Sequence, residues 1–276
     1  MENISFNKKA LDDILTELKY YDNFRDNFLN RRYDSIDYGK RIGKISFDNF
    51  FAAADNYTYS NQVDEDIFSD WNKILNDEKS TEEDLFCAIL EIFVWGDVLS
   101  GNVKTAIKLY KDKKLKPYII QIIDLLKRKE ILSKDIKNKL DNENALEIIW
   151  SSGWTKVYSF INNNILIYDS RVSAFLNHTL THQTNYTEKQ LDILKLLTKY
   201  LYNFPGAESR ERLVDKKLYG FKNSNPNGVN GLNANLISSW TVELLNEKLE
   251  LNKEIRSFER AFFMLGFDLI QIKQEL

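Results

Sequence analysis

The apolar residues of this chain recur at intervals of three and four positions, which is the period of an amphipathic helix. Four such positions near the N-terminus are Leu11, Ile14, Leu15 and Leu18. Four more near the C-terminus are Phe258, Phe262, Leu265 and Leu269. The sequence has no sustained alternation of the kind that strands require, and no internal repeat. The pattern therefore predicts an all-α fold.

Capping and breaking signals set the predicted helix ends. Residues 80–83, Ser-Thr-Glu-Glu, predict a capping box and a helix ending near residues 95–97. Residues 187–190 predict a second capping box, with a helix to about residue 202. Residues 219–235 are rich in glycine and asparagine and predict a long loop with a role in binding or mobility. Further helices are predicted over residues 8–33, 102–111, 117–129, 133–140, 169–178, 238–251 and 253–272, with irregular structure and short helices over 34–59.

One stretch, residues 150–176, combines several unusual features. It has a Ser-Ser-Gly turn, a short helix carrying Lys156, a break at three asparagines, and Asp169 where the next helix begins. A helix over 157–164 rises roughly 12 Å, and an extended segment over 165–168 returns roughly 13 Å. If the chain folds back at the asparagines, Asp169 lies beside Lys156. An amine would then stand next to a carboxylate at two helix starts.

Composition indicates a folded protein without internal disulfides. The 276 residues are 43% hydrophobic and 13% aromatic, enough for a real core in one large or two modest domains. One cysteine, Cys87, excludes a disulfide framework and a cysteine-ligated iron–sulfur cluster. Because Cys87 lies in an apolar helical run, we expect it to be a small core residue.

No targeting or membrane-spanning segment is evident. The N-terminus has no long apolar region behind a basic segment, and no run of 18 apolar residues occurs in the chain. We therefore expect a soluble, cytoplasmic protein with no membrane partner.

Charge is unevenly distributed along the chain. The net charge is −3, yet residues 101–140 carry 12 Lys/Arg against 4 Asp/Glu, a local charge of +8. The remainder carries 26 against 37, or −11. Such asymmetry is typical of a basic face for phosphates. A lysine-rich solvated helical surface explains it equally well, so charge permits a DNA partner without identifying one.

Three short segments resemble the helix-hairpin-helix DNA glycosylase superfamily, more particularly its 8-oxoguanine-glycosylase-like bacterial branch. Gly153-Trp154-Thr155-Lys156 resembles the glycine-turn hairpin with its lysine, and Tyr168-Asp169-Ser170-Arg171-Val172 resembles the aspartate motif that opens a helix. Residues 256–266 resemble the closing helix of that branch. The chain departs from the family pattern in two ways: the hairpin has one glycine where two are usual, and the spacing from lysine to aspartate is shorter.

The resemblance implies a two-lobed helical fold with a cleft between the lobes. Residues 85–165 would form one lobe with a degenerate hairpin. The N-terminal segment, residues 1–84, would pack with the C-terminal lobe, residues 166–276. The active site would lie in the cleft, where Asp169 opens the first helix of the second lobe.

The resemblance also implies the chemistry. Cleavage of an N-glycosidic bond develops positive charge on the deoxyribose, which a fixed carboxylate, Asp169, would stabilise while it orients water. Lys156 is the candidate nucleophile for a Schiff base, which would add lyase activity. If Lys156 only pairs with Asp169 or with a phosphate, the enzyme is monofunctional.

The implied partner is DNA with a flipped-out modified base, and no cofactor, metal or obligate protein partner is expected. The residues expected to bind DNA are Ser152, Gly153, Thr155 and Arg171. The residues expected to line the base pocket are Trp150, Trp154, Tyr168, Trp240 and Phe263, with Tyr158 as a further possible wall.

Each candidate also has a structural interpretation. Asp169 has the form of an ordinary N-cap, which can coexist with catalysis. Lys156 and Arg171 could be solvated surface residues, and Trp150 and Trp154 could pack the core or the hairpin.

Two other functions stay open beside a glycosylase that acts in repair or in defence against phage. The first is a non-catalytic helical module that binds DNA or a protein. The second is a metal-dependent hydrolase that uses His178 and His182, four positions apart, although the sequence gives no third ligand.

Overall fold

The computed structural model describes residues 6–40, 42–57, 66–98, 100–132, 145–182, 186–204, 210–222, 226 and 228–273. The described chain is mostly helical, with one two-stranded sheet. The predicted all-α fold is therefore confirmed.

In chain order the elements are α1 (Lys8–Glu17), α2 (Tyr20–Phe24), a π-helix (Arg25–Leu29), β1 (Tyr33–Asp37), β2 (Lys44–Phe47), α3 (Phe50–Asp55), α4 (Asp66–Asn76), α5 (Glu82–Trp95), α6 (Ser100–Lys111), α7 (Leu115–Leu126), α8 (Ser152–Ile161), α9 (Ser170–Thr181), α10 (Glu188–Thr198), α11 (Lys216–Tyr219), α12 (Gly228–Lys248), α13 (Ile255–Leu265) and α14 (Leu269–Lys273).

The chain divides into two compact units. The first is drawn from residues 58–167 and 226–236, and the second from residues 6–57, 168–225 and 237–276. The sequence placed a boundary between residues 165 and 166, whereas the units divide between 167 and 168. It grouped residues 1–84 with the C-terminal lobe, whereas α4 belongs to the first unit. It also placed the start of α12 in the C-terminal lobe, whereas residues 226–236 belong to the first unit.

The aromatic core of the first unit holds α8 in place. Trp71, Trp95 and Phe160 contact one another, with ring centroids 5.0 to 6.2 Å apart. Asn72 Nδ2 donates to Phe160 O at 2.6 Å, and Asn76 Nδ2 donates to Ile161 O at 3.0 Å. These two amides satisfy carbonyls that the end of α8 leaves without an intrahelical partner.

Two buried tyrosines fix the segment that leads into α8. The hydroxyls of Tyr118 and Tyr158 are 2.6 Å apart, and both donate to Ile149 O. Ile149 N in turn donates to the Tyr118 hydroxyl at 3.1 Å. The Ser-Ser-Gly turn that follows is therefore anchored on both sides.

The core of the second unit is built around α9, which is buried from Val172 to Thr181. Phe175 contacts Phe50 of α3 and Phe262 of α13, at ring-centroid distances of 6.2 and 5.8 Å. Phe50 and Phe262 also contact each other, at 5.4 Å. The start of α9, where Asp169 stands, is thus supported by a three-helix core.

The loop predicted over residues 219–235 is wrong from Gly228 onward, where α12 begins. The glycines there allow close packing. A Cβ atom at Gly228 would lie 1.7 Å from Ile148 O, and one at Gly231 would lie 2.2 Å from Trp150 Cγ. Asn233 exchanges two hydrogen bonds with the backbone of Leu132, at 2.8 and 3.0 Å. Tertiary contacts therefore override the weak helix propensity of glycine and asparagine.

A β-hairpin spans residues 33–47, where the sequence predicted irregular structure. β1 and β2 pair antiparallel, with Tyr33 opposite Phe47 and Ile36 opposite Ile45. The connection places Gly39 and Gly43 at φ of +81° and +84°, which glycine adopts without strain. The register shifts between Tyr33 and Ile36, so these short strands show no regular alternation in the sequence.

Several predicted helix ends are wrong by a few residues. The N-cap of α5 is Thr81, paired in a capping box with Asp84, and Ser80 donates its hydroxyl to Ile74 O instead. The helix predicted over 8–33 is broken at Lys19, whose φ is +53°. The capping box over residues 187–190 is confirmed. The helix predicted over 133–140 lies outside the described residues.

Cys87 is exposed, so its prediction as a core residue is wrong. The buried stripe of α5 includes Leu85, Ala88, Ile89 and Ile92. Position 87 falls beside this stripe rather than within it, because α5 buries only one face.

Candidate active site around Asp169

Asp169 is the N-cap of α9. Its backbone is extended, with φ of −112° and ψ of −175°, and Oδ1 accepts from Arg171 N at 2.8 Å and from Val172 N at 2.9 Å. The exposed N–H groups and the helix dipole favour a carboxylate at this position. Both capping bonds use Oδ1, so Oδ2 is the oxygen that remains for another partner.

The end of α13 lies directly against this helix start. A Cβ atom at Gly266, the C-cap of α13, would lie 1.9 Å from Arg171 O. Glycine is required here because the two backbones approach so closely. The contact brings Phe263 and Phe267 beside the first turn of α9.

Arg171 lies over two aromatic rings of the same unit. Its Cζ atom is 4.2 Å from the centroid of Phe263 and 4.9 Å from that of Phe267. Guanidinium groups in such positions gain from the ring quadrupole. Arg171 is half-buried, so its position is set by packing as well as by charge.

Arg212 is a buried charge at this site that the sequence did not indicate. It is 5% exposed; Nη1 donates to Ser170 Oγ at 2.7 Å, and Nε donates to Phe267 O at 3.2 Å. Burial, together with the charge of Arg171, lowers the pKa of Arg212 to about 10, and Asp169 opposes this shift. Arg212 therefore lies within electrostatic range of the Asp169 carboxylate.

Tyr57 is a second neighbour that the sequence did not indicate. Its ring contacts that of Phe263, with centroids 5.3 Å apart. Burial raises the pKa of Tyr57, and the carboxylates of Glu259 and Asp169 raise it further. Glu259 is itself buried and accepts from Arg256 Nη1 at 3.1 Å. Tyr57 is thus a neutral phenol near Asp169.

The other predicted pocket residues of the second unit are buried. Tyr168 is fully buried against Phe204, with ring centroids 6.0 Å apart, and burial raises the pKa of its phenol. Trp240 is 5% exposed. Of the predicted pocket residues in this unit, the half-buried Phe263 is the one that contacts Tyr57 and Arg171.

The predicted hairpin turn starts α8 in the first unit. Ser151 is the N-cap: its hydroxyl accepts from Trp154 N at 3.1 Å and donates to Asn102 Oδ1 at 2.7 Å. A Cβ atom at Gly153 would lie 2.6 Å from Asn102 Nδ2, so this glycine serves close packing. Thr155 is fully buried, and its hydroxyl donates to Ser152 O at 3.0 Å. Ser152 is the exposed residue among these predicted DNA contacts.

Lys156 lies over a glycine at the end of α5. A Cβ atom at Gly96 would be 2.3 Å from Lys156 Cδ and 2.4 Å from Cε. Lys156 Nζ donates to Ser152 O at 3.4 Å. The lysine is half-buried, and its alkyl chain occupies the space that a side chain at position 96 would fill.

The predicted tryptophans of the first unit take part in packing. Trp154 is fully buried, with its ring 5.6 Å from Phe93 and 5.5 Å from Tyr118. Trp150 is half-buried and lies against Gly231 of α12. Tyr158 is fully buried.

Lys156 belongs to the first unit and Asp169 to the second. Their predicted proximity and the predicted cleft stay predictions. What the structure establishes is the environment of each residue within its own unit.

The described part of the basic stretch presents lysines on α6 and after it. Lys104, Lys108 and Lys111 are exposed and spaced by four and three positions, which places them on one face of α6. Lys113 and Lys114 follow and are also exposed. The first unit therefore carries a lysine-rich surface.

His178 and His182 pack against aromatic residues. Their rings are 5.7 Å apart, and each contacts Phe28, at 5.7 and 5.0 Å. Within the described residues no group of three or more His, Cys, Asp or Glu side chains could hold a metal ion. Burial and the charge of Arg31 lower the pKa of His182.

No protein-family model, curated protein or solved structure matches this chain. Across the part of the chain that the structure describes, no helix combines the length and the apolar character needed to cross a membrane.

Three residues of this region carry no sequence signal of helical periodicity or motif: Tyr57 and Arg212, which interact electrostatically with Asp169, and Arg210, whose guanidinium lies over Phe267. Each comes from a segment without helical periodicity, and each reaches the site only through the tertiary fold. The one available signal was the Arg-Glu-Arg triplet at residues 210–212, two cations spaced by two in a non-helical segment.

The arrangement in the second unit supports a defined range of chemistry. A carboxylate with a fixed direction can stabilise a developing cation or orient water. A neutral phenol can donate a hydrogen bond, and arginines on aromatic rings can bind anions. These groups suit a substrate that has an anionic portion and becomes cationic at its reacting atom.

Proposed function

We propose that this protein is a DNA glycosylase, which excises a damaged or modified base by cleaving its N-glycosidic bond. The observation that carries the proposal is the Asp169 carboxylate, fixed at the start of a buried helix by the N–H groups of Arg171 and Val172 and within electrostatic range of Tyr57 and Arg212. The contact between Gly266 and Arg171 supports it further, because it joins two of the segments that resemble the glycosylase superfamily.

In the hydrolytic reaction the bond between C1′ and the base nitrogen breaks, and its electron pair leaves with the base. Asp169 stabilises the positive charge on the deoxyribose and orients a water molecule. The water oxygen bonds to C1′ and its proton passes to Asp169, while the base takes a proton from solvent. Asp169 then returns its proton to solvent.

Lys156 would extend this reaction if its neutral amine bonds to C1′ as the base leaves. One amine proton is then lost to solvent, and the other passes to the ring oxygen as the bond between C1′ and O4′ breaks. The product is a Schiff base, which allows strand cleavage by elimination. Borohydride reduces a Schiff base to a stable adduct. Adduct formation therefore separates a bifunctional enzyme from a monofunctional one.

The partner in this proposal is DNA with an extruded base. Extrusion costs stacking energy, which contacts to the base and to the phosphates offset. Phe263 and Tyr57 are half-buried rings of the second unit that contact each other, and Tyr57 lies within electrostatic range of Asp169. The substrate is a damaged base in repair or a hypermodified base in defence against phage.

A competing proposal is a non-catalytic helical module that binds DNA or a protein. The two capping bonds of Asp169 favour it, because they are the bonds of an ordinary N-cap. In that case the charge of Asp169 matters for helix stability alone.

Substitution of Asp169 by Asn separates the two proposals. Asparagine caps helices as well as aspartate does, so the variant keeps the cap and loses the negative charge. A matched control is Asp215→Asn, because Asp215 Oδ1 accepts from Lys217 N at 2.8 Å and from Leu218 N at 3.1 Å at another helix start. All three proteins are incubated with genomic DNAs, natural and phage-modified, and alkali-labile abasic sites are counted.

The glycosylase proposal expects abasic sites with the wild type and with Asp215→Asn, and a reduction of at least about a hundredfold with Asp169→Asn. If the wild type forms a borohydride adduct and Lys156→Ala does not, the enzyme also has lyase activity, with Lys156 as its nucleophile. If no abasic sites form on any DNA, while the wild type and Asp169→Asn both still bind DNA, the binding module is favoured.

A further inference from the structure

Three arginines of the second unit converge on one phenylalanine. The Cζ atoms of Arg171 and Arg210 lie 4.9 and 4.0 Å from the ring centroid of Phe267. Arg212 approaches the same residue from its backbone side, with Nε 3.2 Å from Phe267 O. Two guanidinium groups thus lie over the buried ring of Phe267, and a third contacts its backbone carbonyl.

Two carboxylates near these arginines, those of Asp169 and Asp268, each use one oxygen to accept backbone hydrogen bonds. Asp169 Oδ1 caps α9. Asp268 Oδ1 accepts from Glu211 N at 3.3 Å and from Ile270 N at 3.1 Å, at the start of α14. Neither Arg210 nor Arg212 forms a salt bridge with a carboxylate of the described residues. The local positive charge is therefore only partly compensated by the protein.

Arg212 shows the electrostatic consequence of this arrangement. The depression of its pKa to about 10 has burial as its first cause and the charges of Arg171 and Arg210 among the others, while Asp169 and Asp268 oppose it only in part. A buried cation near like charges is costly unless an anion completes the site. The hydrogen bond from Nη1 to Ser170 Oγ fixes the plane of this guanidinium at the start of α9.

We propose that Arg210, Arg212 and Arg171 form a binding site for a phosphodiester group of DNA, next to Asp169. Arginine recognises phosphate with a planar pair of N–H donors, which suits two half-buried guanidinium groups beside a buried third. The half-buried ring of Phe263 lies beside Arg171, and the half-buried ring of Tyr57 contacts Phe263. Both rings offer stacking surfaces for the attached nucleoside. This inference rests on the proposed function for the identity of the nucleic acid.

The site would hold the backbone of the nucleotide whose base is removed, or of its neighbour. A phosphate contact of this kind positions the strand and carries no sequence information. Each such contact makes the affinity for DNA more sensitive to salt, because binding releases counterions from the neutralised phosphate. Affinity therefore falls as the salt concentration rises. Salt dependence is therefore the readout that separates a phosphate contact from a structural role.

The test measures binding, without any base excision. Fluorescence anisotropy follows a labelled duplex containing a tetrahydrofuran abasic analogue, titrated at several NaCl concentrations. The proteins are wild type, Arg210→Gln and Arg212→Lys, with Arg32→Gln as the matched control. Arg32 is exposed and pairs with Asp34 at 2.7 Å, so its removal changes the net charge equally outside the proposed site. Arg210 is half-buried, so its variant keeps the test valid if Arg212→Lys fails to fold.

We expect Arg210→Gln to reduce the slope of log K against log[NaCl] by about 1 and to weaken binding about tenfold. Arg32→Gln should leave the slope unchanged. Equal slopes for Arg210→Gln and the wild type, or no binding of DNA by the wild type, would overturn the site.

A second arm separates a DNA phosphate from a free anion. Inorganic phosphate is added to wild type and Arg210→Gln while thermal unfolding is followed. Stabilisation of the wild type alone, combined with unchanged DNA binding by Arg210→Gln, would assign the site to a free anion and overturn the proposal. If Arg210→Gln reduces the slope of log K against log[NaCl] on the abasic duplex, but the wild type excises no base from any DNA, the phosphate site is supported and the glycosylase proposal is refuted.

Discussion

At the scale of single residues, the contact between Gly96 and Lys156 gives a way to move the lysine without removing it. A Cβ atom at position 96 would clash with Lys156 Cδ and Cε, at 2.3 and 2.4 Å. Because these atoms belong to a flexible side chain, Gly96→Ala should redirect the lysine and leave the fold intact. If Lys156 forms a Schiff base, the yield of borohydride adduct should fall at least about tenfold, as a displaced reacting group loses its near-attack geometry.

The matched control for this prediction is Gly101→Ala. Gly101 is also in the first unit, and a Cβ atom there meets nothing within 4 Å. Its adduct yield should equal that of the wild type. Equal yields from wild type and Gly96→Ala would contradict a nucleophilic role that depends on the observed path of Lys156.

The residue scale also shows where sequence reasoning stops. Asp169 could be predicted because an N-cap is a local feature, set by the residues that follow it. Arg212 and Tyr57 could not, because they reach Asp169 through contacts among distant segments. Asp169 and Arg171 were therefore identified without the cation and the phenol that complete their surroundings.

At the scale of elements, the start of α9 combines two roles that different substitutions can separate. Asp169→Ala removes both the capping oxygen and the charge, whereas Asp169→Asn removes the charge alone. Asp169→Ala should lower the free energy of unfolding by about 1 kcal/mol relative to Asp169→Asn. Urea denaturation of both variants measures the difference, and base release should be lost in both.

A result in which Asp169→Asn is as destabilised as Asp169→Ala would show that the charge, and not the capping geometry, stabilises α9. Retention of base release by Asp169→Ala would refute catalysis by this carboxylate. The two readouts are independent, since one follows folding and the other follows chemistry.

The close approach of α13 to α9 makes a separate prediction. Any side chain at Gly266 would meet Arg171 O, 1.9 Å from a Cβ atom, and a backbone atom cannot swing aside. Gly266→Ala should therefore lower the free energy of unfolding by about 1–3 kcal/mol, as overpacking does. Gly101→Ala again serves as the control in thermal or urea unfolding. An unchanged stability would mean that the two helices are not in this contact.

Element boundaries were predictable where the signals were local and failed where packing decided them. The box formed by Thr187 and Gln190 was predicted correctly because its residues interact with each other. The start of α12 was not, since Gly228 and Gly231 are helical only because Ile148 and Trp150 occupy the space a side chain would need. Glycine in a sequence therefore indicates either a loop or a helix position where close packing leaves no room for a side chain.

At the scale of the whole molecule, neither the grouping of helices into units nor the partners of the basic stretch could be deduced from local sequence patterns. The lysines of α6 are exposed as expected for a solvated face or for a phosphate surface. The arginines around Phe267 belong to the second unit, where Arg171 comes from one segment and Arg210 and Arg212 from another. Acidic residues such as Glu211 stand between and beside this pair, so the sequence shows no strong local excess of positive charge there. Local composition predicts a charged surface only when its residues are neighbours in the chain.

The stability of the whole molecule should depend on pH through His182. Burial and Arg31 lower the pKa of His182 below its ordinary value of 6.5. The unfolded chain then binds a proton that the folded chain resists, so stability rises with pH through this region. The neutral form of His182 makes its full contribution to the free energy of unfolding above pH 6.5, and this contribution is lost as the pH falls below 6.5. Urea denaturation between pH 7.5 and pH 5.5 should show this decline in the wild type.

The variant His182→Gln isolates this contribution from other titrating groups. Glutamine cannot be protonated in this range, so the variant should lose less stability than the wild type between pH 7.5 and pH 5.5. Its ring contact with Phe28, at 5.0 Å, is lost as well, which lowers stability equally at both pH values and leaves the slope unaffected. Parallel pH profiles for the two proteins would contradict the assignment, because the decline would then arise from groups other than His182.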